Sequence, residues 1–262
     1  MFAIDELAYA SPMRHWPPLG KFLLALSLLI VSLVSSSLII PIIVFVIGLT
    51  LLFLSTRLRF PKVITLAILE GMTIFLIGAV IIAFVTMEGK VLFDLNLLSF
   101  HLSLTEGGLL RGMTVFLRAL AGITVMLFFA TSTPIPHFAA ALRQLRIPSY
   151  ITELVILVYR YSFLLFEQLD VLYTAAQCRL GFRGTRNKIR TTGKLAVGLF
   201  IKSLDVAERS QIALFCRNFK GDFPTFRPPA RMTIGWALLP FLAFGLLYAA
   251  NLVISNTMML GW

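Results

Sequence analysis

Gln177-Cys178-Arg179-Leu180-Gly181-Phe182 and, 38 positions later (216 − 178), Phe215-Cys216-Arg217-Asn218-Phe219-Lys220-Gly221 mark the stretch 153–221, where charge, helical pattern and a repeated short motif coincide in an otherwise very apolar chain. Each motif is a Cys-Arg dipeptide at the foot of a helical pattern, closed by glycine. Taken singly, either is explained as a helix stop: arginine in the last turn complements the negative end of the macrodipole, and glycine supplies a left-handed cap. Two similar stops flanking one basic linker need more than that explanation.

Around that stretch the composition is that of a polytopic membrane protein. The chain has 262 residues, 58% of them hydrophobic, and a mean hydropathy of +0.91, far from soluble norms. Its net charge is +11, and residues 143–231 hold 15 Lys/Arg against 6 Asp/Glu, so +9 of that excess lies there (15 − 6). A basic, partly apolar region beside membrane spans reads as cytoplasmic under the positive-inside rule, and with no soluble domain to carry the charge, nucleic acid is not an expected partner. Cys178 and Cys216 are the only cysteines, both in the segment placed in the cytosol, where a structural disulfide is not expected. The three histidines, His15, His101 and His137, are too scattered for a paired-ligand metal site.

In chain order, residues 1–20 carry Asp5, Glu6, Arg14 and Pro17-Pro18 and lack the basic start and cleavage site of a signal peptide, so the first apolar run is expected to be retained. Residues 21–55 are apolar for about twice the ~20 residues one crossing needs, with Ser35-Ser36-Ser37 and Pro41 near the middle, which predicts a tight helical hairpin. Arg57, Arg59 and Lys62 mark a cytoplasmic loop and put the N-terminus on the same side. Spans are predicted at about 63–86 and 109–131, separated by an external mixed loop with Glu88, Asp94, His101 and Glu106. Glu70 and Arg118 lie inside these spans, where an ionisable group is costly unless paired or wet; an ion path, a structural pair or a snorkelling contact would each account for them. A short amphipathic helix is expected over 137–146, stopped by Pro148.

A long helix follows from Ser149, its expected N-cap, to Cys178. It carries Glu153, Arg160, Glu167 and Asp170 too often for a lipid-bathed crossing, and is expected to lie on or beside the membrane. Residues 181–193 read as a basic, turn-rich linker, 194–220 as a further helix and 234–254 as a last span. The fold class expected is therefore an all-α polytopic membrane protein with five transmembrane helices and three cytoplasmic amphipathic helices. Its domains are four spans in 1–132, a cytoplasmic region in 133–231 and a C-terminal span in 232–262.

No phosphate-binding loop, His-Glu-x-x-His motif, nucleophile elbow or spaced carboxylate dyad is present. Residues alone describe a multi-span protein presenting a basic helical platform to the cytosol. Several stretches then carry a resemblance: Ile4-Asp5-Glu6-Leu7-Ala8-Tyr9 with Pro17 and Lys21, Leu142-Arg143-Gln144-Leu145-Arg146-Ile147-Pro148, Tyr159-Arg160-Tyr161, and Val197-Gly198-Leu199-Phe200-Ile201-Lys202-Ser203 through Ala207-Glu208-Arg209 to Phe219-Lys220-Gly221. The chain resembles the transmembrane T component of energy-coupling-factor transporters, and within them the cobalt-transport CbiQ family.

That resemblance implies a non-catalytic bacterial cell-membrane subunit, with N-terminus and coupling helices cytoplasmic, that needs no cofactor or metal ligand of its own. Its implied partners are the lipid bilayer, a pair of ATP-hydrolysing subunits, and a separate membrane subunit that captures cobalt or nickel. The family's Ala-Arg-Gly-like docking motifs fall here on Cys178-Arg179-Leu180 and Cys216-Arg217-Asn218, which keep the arginine and depart from the pattern on both sides of it. A T component for nickel or a vitamin is the alternative within the fold. A secondary permease is the alternative outside it, and would show inverted repeats and interrupted spans; the sequence shows no such repeat, and its charge is concentrated in one half.

Overall fold

A computed structural model describes residues 3–35, 37–56, 62–86, 91–97, 100–145, 147–219 and 233–260. The chain divides into two compact units, Met1–Ala141 with Pro229–Trp262, and Leu142–Pro228. The first contains α1 (Ala3–Ala10), a 3-10 turn at Pro12–His15, α2 (Pro18–Val34), α3 (Ile39–Ser55), α4 (Lys62–Val85), a hairpin of β1 (Val91–Leu97) and β2 (Phe100–Thr105), α5 (Glu106–Ser132), most of α6 (Ile135–Gln144), and α9 (Ile234–Leu260). The second contains α7 (Ser149–Cys178) and α8 (Thr185–Cys216).

The helix ends follow from local chemistry. Pro18 opens α2 at a position where its missing N–H costs nothing, and the Ser35 turn ends it. Thr105 caps α5: its hydroxyl accepts from the Gly108 amide at 3.1 Å and donates to the Thr86 carbonyl at 2.7 Å, which ties the start of α5 to the end of α4. Thr133 and Pro134 close α5, and the Pro134 carbonyl accepts from the His137 and Phe138 amides to start α6.

α5 is the central helix of the first unit. A Cβ on Gly112 would lie 2.6 Å from the Ala79 carbonyl, and one on Gly108 would press on the Ala83 carbonyl, so these two glycines, one turn apart, let α4 and α5 meet backbone to backbone. On α3, a Cβ on Gly48 would sit 2.8 Å from the Thr124 hydroxyl. The core these contacts surround is formed by Ala25, Leu28 and Val31 of α2, Ile40 and Val44 of α3, Ala121 and Val125 of α5, and Leu247 of α9. Lys21, 2% exposed, donates from Nζ to the carbonyls of Ser132 (2.6 Å) and Met13 (3.2 Å), joining the start of α2 to the last turn of α5. Next to it the rings of Phe22, Phe129 and Phe138 meet in pairs at 5.4–5.8 Å.

By length and composition α4, α5 and α7 can each cross a bilayer, whereas α2, α3 and residues Gly235–Asn251 of α9 are apolar but shorter. The 17 residues of α2 and of α3 span about 26 Å, slightly less than a ~30 Å hydrocarbon core. This is an all-α multi-pass membrane protein in class, with one addition: the segment read as a mixed loop contains an antiparallel hairpin in which Asp94 pairs with Ser103 and Leu95 with Leu102. Alternation of apolar and polar residues in Phe93-Asp94-Leu95-Asn96-Leu97 is the sequence signal for it.

Two further expectations are corrected. The region 181–193 is not all linker, because α8 begins at Thr185; Arg186, Lys188 and Arg190 are good helix formers and continue into the helix. Ser149 is the first residue of α7 rather than its cap, and Pro148 precedes it with no side-chain cap bond. The loop bearing Arg57 and Arg59, and the break around Phe223–Pro229 in the sequence, lie outside the described residues.

Candidate docking site at two helix ends

The two Cys-Arg motifs end their helices in the same backbone geometry. Arg179 is the C-cap of α7 at φ −88°, ψ 13°, and Arg217 is the C-cap of α8 at φ −93°, ψ 10°. The next residue is left-handed at each: Leu180 at φ 55° and Asn218 at φ 52°, the only non-glycine residues with positive φ among those described. In α7 the Leu180 amide donates to the Gln177 carbonyl and the Gly181 amide to the Ala176 carbonyl, both at 2.9 Å. In α8 the Asn218 amide donates to the Phe215 carbonyl at 3.0 Å and the Phe219 amide to the Leu214 carbonyl at 3.1 Å. Each pair of bonds is the Schellman pattern, 5→2 and 6→1, one residue for one residue.

This corrects the expectation that glycine supplies the left-handed cap. The left-handed positions are Leu180 and Asn218, one residue after each arginine. Gly181 has a different task. A Cβ there would meet Thr191 at 3.1 Å, and the Gly181 carbonyl accepts from the Thr191 hydroxyl at 2.7 Å, so the turn lies close against the first turns of α8. Tyr173 and Phe182, with ring centroids 4.9 Å apart, hold the other side of the same turn. Gly184, at φ 84°, is where left-handed backbone does fall on a glycine, just before α8 begins. Gly221 lies outside the described residues.

All six candidate residues, Cys178, Arg179, Leu180, Cys216, Arg217 and Asn218, are exposed. Both thiols are free. Neither guanidinium has a side-chain partner among the described residues, so each presents its planar donor fork outward from a rigid cap. α8 has 32 residues, so Arg217 stands about 48 Å along its axis from the turn that holds Arg179. The apolar residues of this unit are also largely uncovered: α8 buries none of its side chains, and Leu180 (65%) and Phe215 (75%) flank the arginines in the open. Exposed apolar surface of this kind marks a contact with a protein or a membrane. At the other end of α7, Arg143 fixes the helix start with Nε donating to the Thr152 hydroxyl (3.2 Å) and an ion pair to Glu153 (3.6 Å).

Of Glu70 and Arg118, Arg118 donates to the Ser35 carbonyl at the end of α2. Glu70 is exposed on α4 and does not pair with it. No group of three or more His, Cys, Asp or Glu that could hold a metal occurs among the described residues. His137 is half-buried, and burial, with Arg14, Lys21 and His15 near it, holds its imidazole below the usual histidine range.

The profile of the CbiQ family, described as cobalt transport protein, matches residues 9–227, a stretch that contains both helix ends. The chain belongs to the CbiQ cobalt transport family. It is 32% identical over 222 residues to an uncharacterised protein of Methanocaldococcus jannaschii, covering 83% of this chain and 81% of that one. It is 27% identical over 231 residues to the cobalt transport protein CbiQ of Salmonella typhimurium, covering 85% of this chain and 99% of that one. A putative fused cobalt transport protein, CbiMQ, of Methanocorpusculum labreanum is 28% identical over 262 residues; the match covers 96% of this chain but 43% of that longer one. As a CbiQ-family protein with several apolar helices, the chain is a multi-pass membrane component of that cobalt transport family.

Proposed function

We propose that this chain is the transmembrane coupling component of an energy-coupling-factor importer for cobalt, a non-catalytic subunit of the bacterial cell membrane with its N-terminus and the α6–α8 region in the cytosol. In this role a pair of ATP-hydrolysing subunits docks on Arg179 and Arg217, with Cys178, Leu180, Cys216 and Asn218 lining the two contacts, and a separate membrane subunit captures the ion. The observation that carries the reading is the identical Schellman ending of α7 and α8, each presenting one exposed arginine. A guanidinium can make two parallel bonds to a carboxylate in a groove, which a lysine ammonium cannot reproduce. One helix about 48 Å long separates the two equivalent arginines, more than the ~30 Å diameter of a small domain and so room for two subunits side by side, and a helix-stop role alone does not explain the repetition. The longer relative named as a fused cobalt transport protein supports an association with a further membrane component.

Nature has placed reporters beside both arginines. A thiol-to-amine crosslinker applied to membranes holding the assembled transporter is expected to join Cys178 and Cys216 to the ATP-hydrolysing subunit. Crosslinking from neither cysteine, in membranes where that subunit is present, contradicts the docking role.

A further inference from the structure

We infer that the outward face of α4 is a contact surface for a transmembrane helix of the partner membrane subunit, anchored at Glu70 by a cationic or hydrogen-bond-donating side chain of that helix. This deepens the proposed function, on which the existence of the partner rests. The depth of Glu70 is fixed by its neighbours. The adjacent Gly71 abuts Ile123 of α5, and the next α5 residue, Thr124, abuts Gly48, the tenth of the 17 residues of α3. Glu70 is therefore level with the middle of the apolar helix α3, and it stands 8 residues, about 12 Å, inside the Lys62 end of α4 (70 − 62). A carboxylate on a two-methylene stem does not reach the interface from there, and lipid offers it no partner.

Glu70 is the one charged residue of α4 after Lys62, and it is exposed within an apolar stripe at helical spacing: Leu66, Ile74, Ile77 and Ile81 are each more than half exposed. Its carboxylate has no side-chain partner among the described residues. Arg118 marks the contrast, because its guanidinium has a partner within the chain, the Ser35 carbonyl, although its Nε is buried without one.

A second copy of the chain does not complement the stripe. A twofold contact would set Glu70 against Glu70 with Lys62 about 12 Å away at the end of α4, and the cations of α2 and α5, Lys21, Arg111 and Arg118, are engaged within the chain. Charge complementarity therefore selects a different membrane protein, one bringing Lys, Arg, Asn, Gln, Ser or Thr to mid-depth.

The test uses the assembled transporter in membranes, with a photoreactive benzoylphenylalanine at Ile74 or Ile77, and at Leu76, about 120° round the helix from Glu70, as the off-face position. Irradiation is expected to join Ile74 and Ile77, and not Leu76, to the substrate-binding membrane subunit, through a peptide from one of its membrane helices that contains a donor side chain. Glu70→Lys is expected to lower recovery of that subunit by about tenfold, from like-charge or unpaired-charge cost, while Glu70→Gln, which keeps a hydrogen-bonding group, retains most of it and both variants keep the ATP-hydrolysing subunit. Crosslinks to a second copy of this chain, no crosslink from either face position, or undiminished recovery with Glu70→Lys would each overturn the inference. A chain that recovers no ATP-hydrolysing subunit even when unaltered would instead defeat the proposed function, so the two failures are distinct.

Discussion

Leu180 carries a branched side chain at φ 55°, in the left-handed region where a Cβ crowds the following carbonyl at a cost of about 1–2 kcal/mol, whereas Asn218 at φ 52° tolerates the same geometry through its short polar side chain. Strain of this kind persists only where surrounding structure fixes it, and at Leu180 the Gly181–Thr191 contact does so. Leu180→Gly should therefore stabilise the α7 end by about 0.5–1 kcal/mol, the relief of strain less the greater unfolded freedom of glycine. Amide exchange of the Gly181 N–H, which is bonded to the Ala176 carbonyl, measures it: protection should rise, and a fall would mean that the Leu180 side chain contributes more than its strain costs. The arginines at both ends were legible in the sequence from the repeated Cys-Arg pair. The left-handed residue was not, because it is set by where the last helical turn stops, and a shift of one residue moves the cap from Gly181 to Leu180.

At the scale of elements, the first unit depends on a lysine that behaves as a helix cap. Lys21 supplies the donor that the Ser132 carbonyl, in the last turn of α5, does not find within its own helix. Lys21→Met removes that donor and leaves the Ser132 carbonyl unsatisfied, while the Met13 carbonyl keeps the Trp16 amide, so the purified protein should lose about 1–3 kcal/mol in thermal or denaturant unfolding; an unchanged midpoint would show that water replaces the ammonium. His137 beside it gives a pH dependence. Its folded pKa lies below the ordinary 6.5, so protons bind the unfolded chain more readily. The stability it contributes is present above about pH 6.5 and falls away as pH drops through the lowered folded value, and His137→Phe should flatten that decline in an unfolding series from pH 8 to pH 5. The apolar spans, the α2–α3 hairpin and the extent of α7 could be read from the sequence because ~20-residue apolar runs and proline or serine breaks fix them. The start of α8 was hidden because a run of arginine and lysine reads equally as a solvated linker or as an exposed helix. The β-hairpin is visible only in a short alternation inside a charged loop.

For the whole molecule, the proposed orientation, read from the positive-inside rule, has the start of α4 and the start of α5 on opposite sides of the membrane. In a background with Cys178 and Cys216 replaced, Lys62→Cys should label only after the inner face is opened and Glu106→Cys should label in intact cells, both positions being exposed; labelling of both from outside would refute the orientation. Glu70 belongs to this scale as well. Its presence mid-span was plain in the sequence, but that Arg118 turns to the Ser35 carbonyl rather than to Glu70 needed the packing of α2 against α5. The central claim is that Arg179 and Arg217 are interface anchors rather than caps. If each is only a dipole-compensating cap, replacement by alanine costs about 0.3–1 kcal/mol of helix stability and leaves assembly intact. If each sits in an acidic groove, truncation strands the groove's charge at about 2–5 kcal/mol of interface energy. The deciding measurement is cobalt uptake together with co-purification of the ATP-hydrolysing subunit for Arg179→Ala, Arg217→Ala, the corresponding lysine variants and the double alanine variant. Each single alanine change should sharply reduce uptake, lysine should rescue poorly at both positions, and the double change should release the ATP-hydrolysing subunit from the membrane; near-normal uptake with that subunit still bound in the double variant would contradict the account.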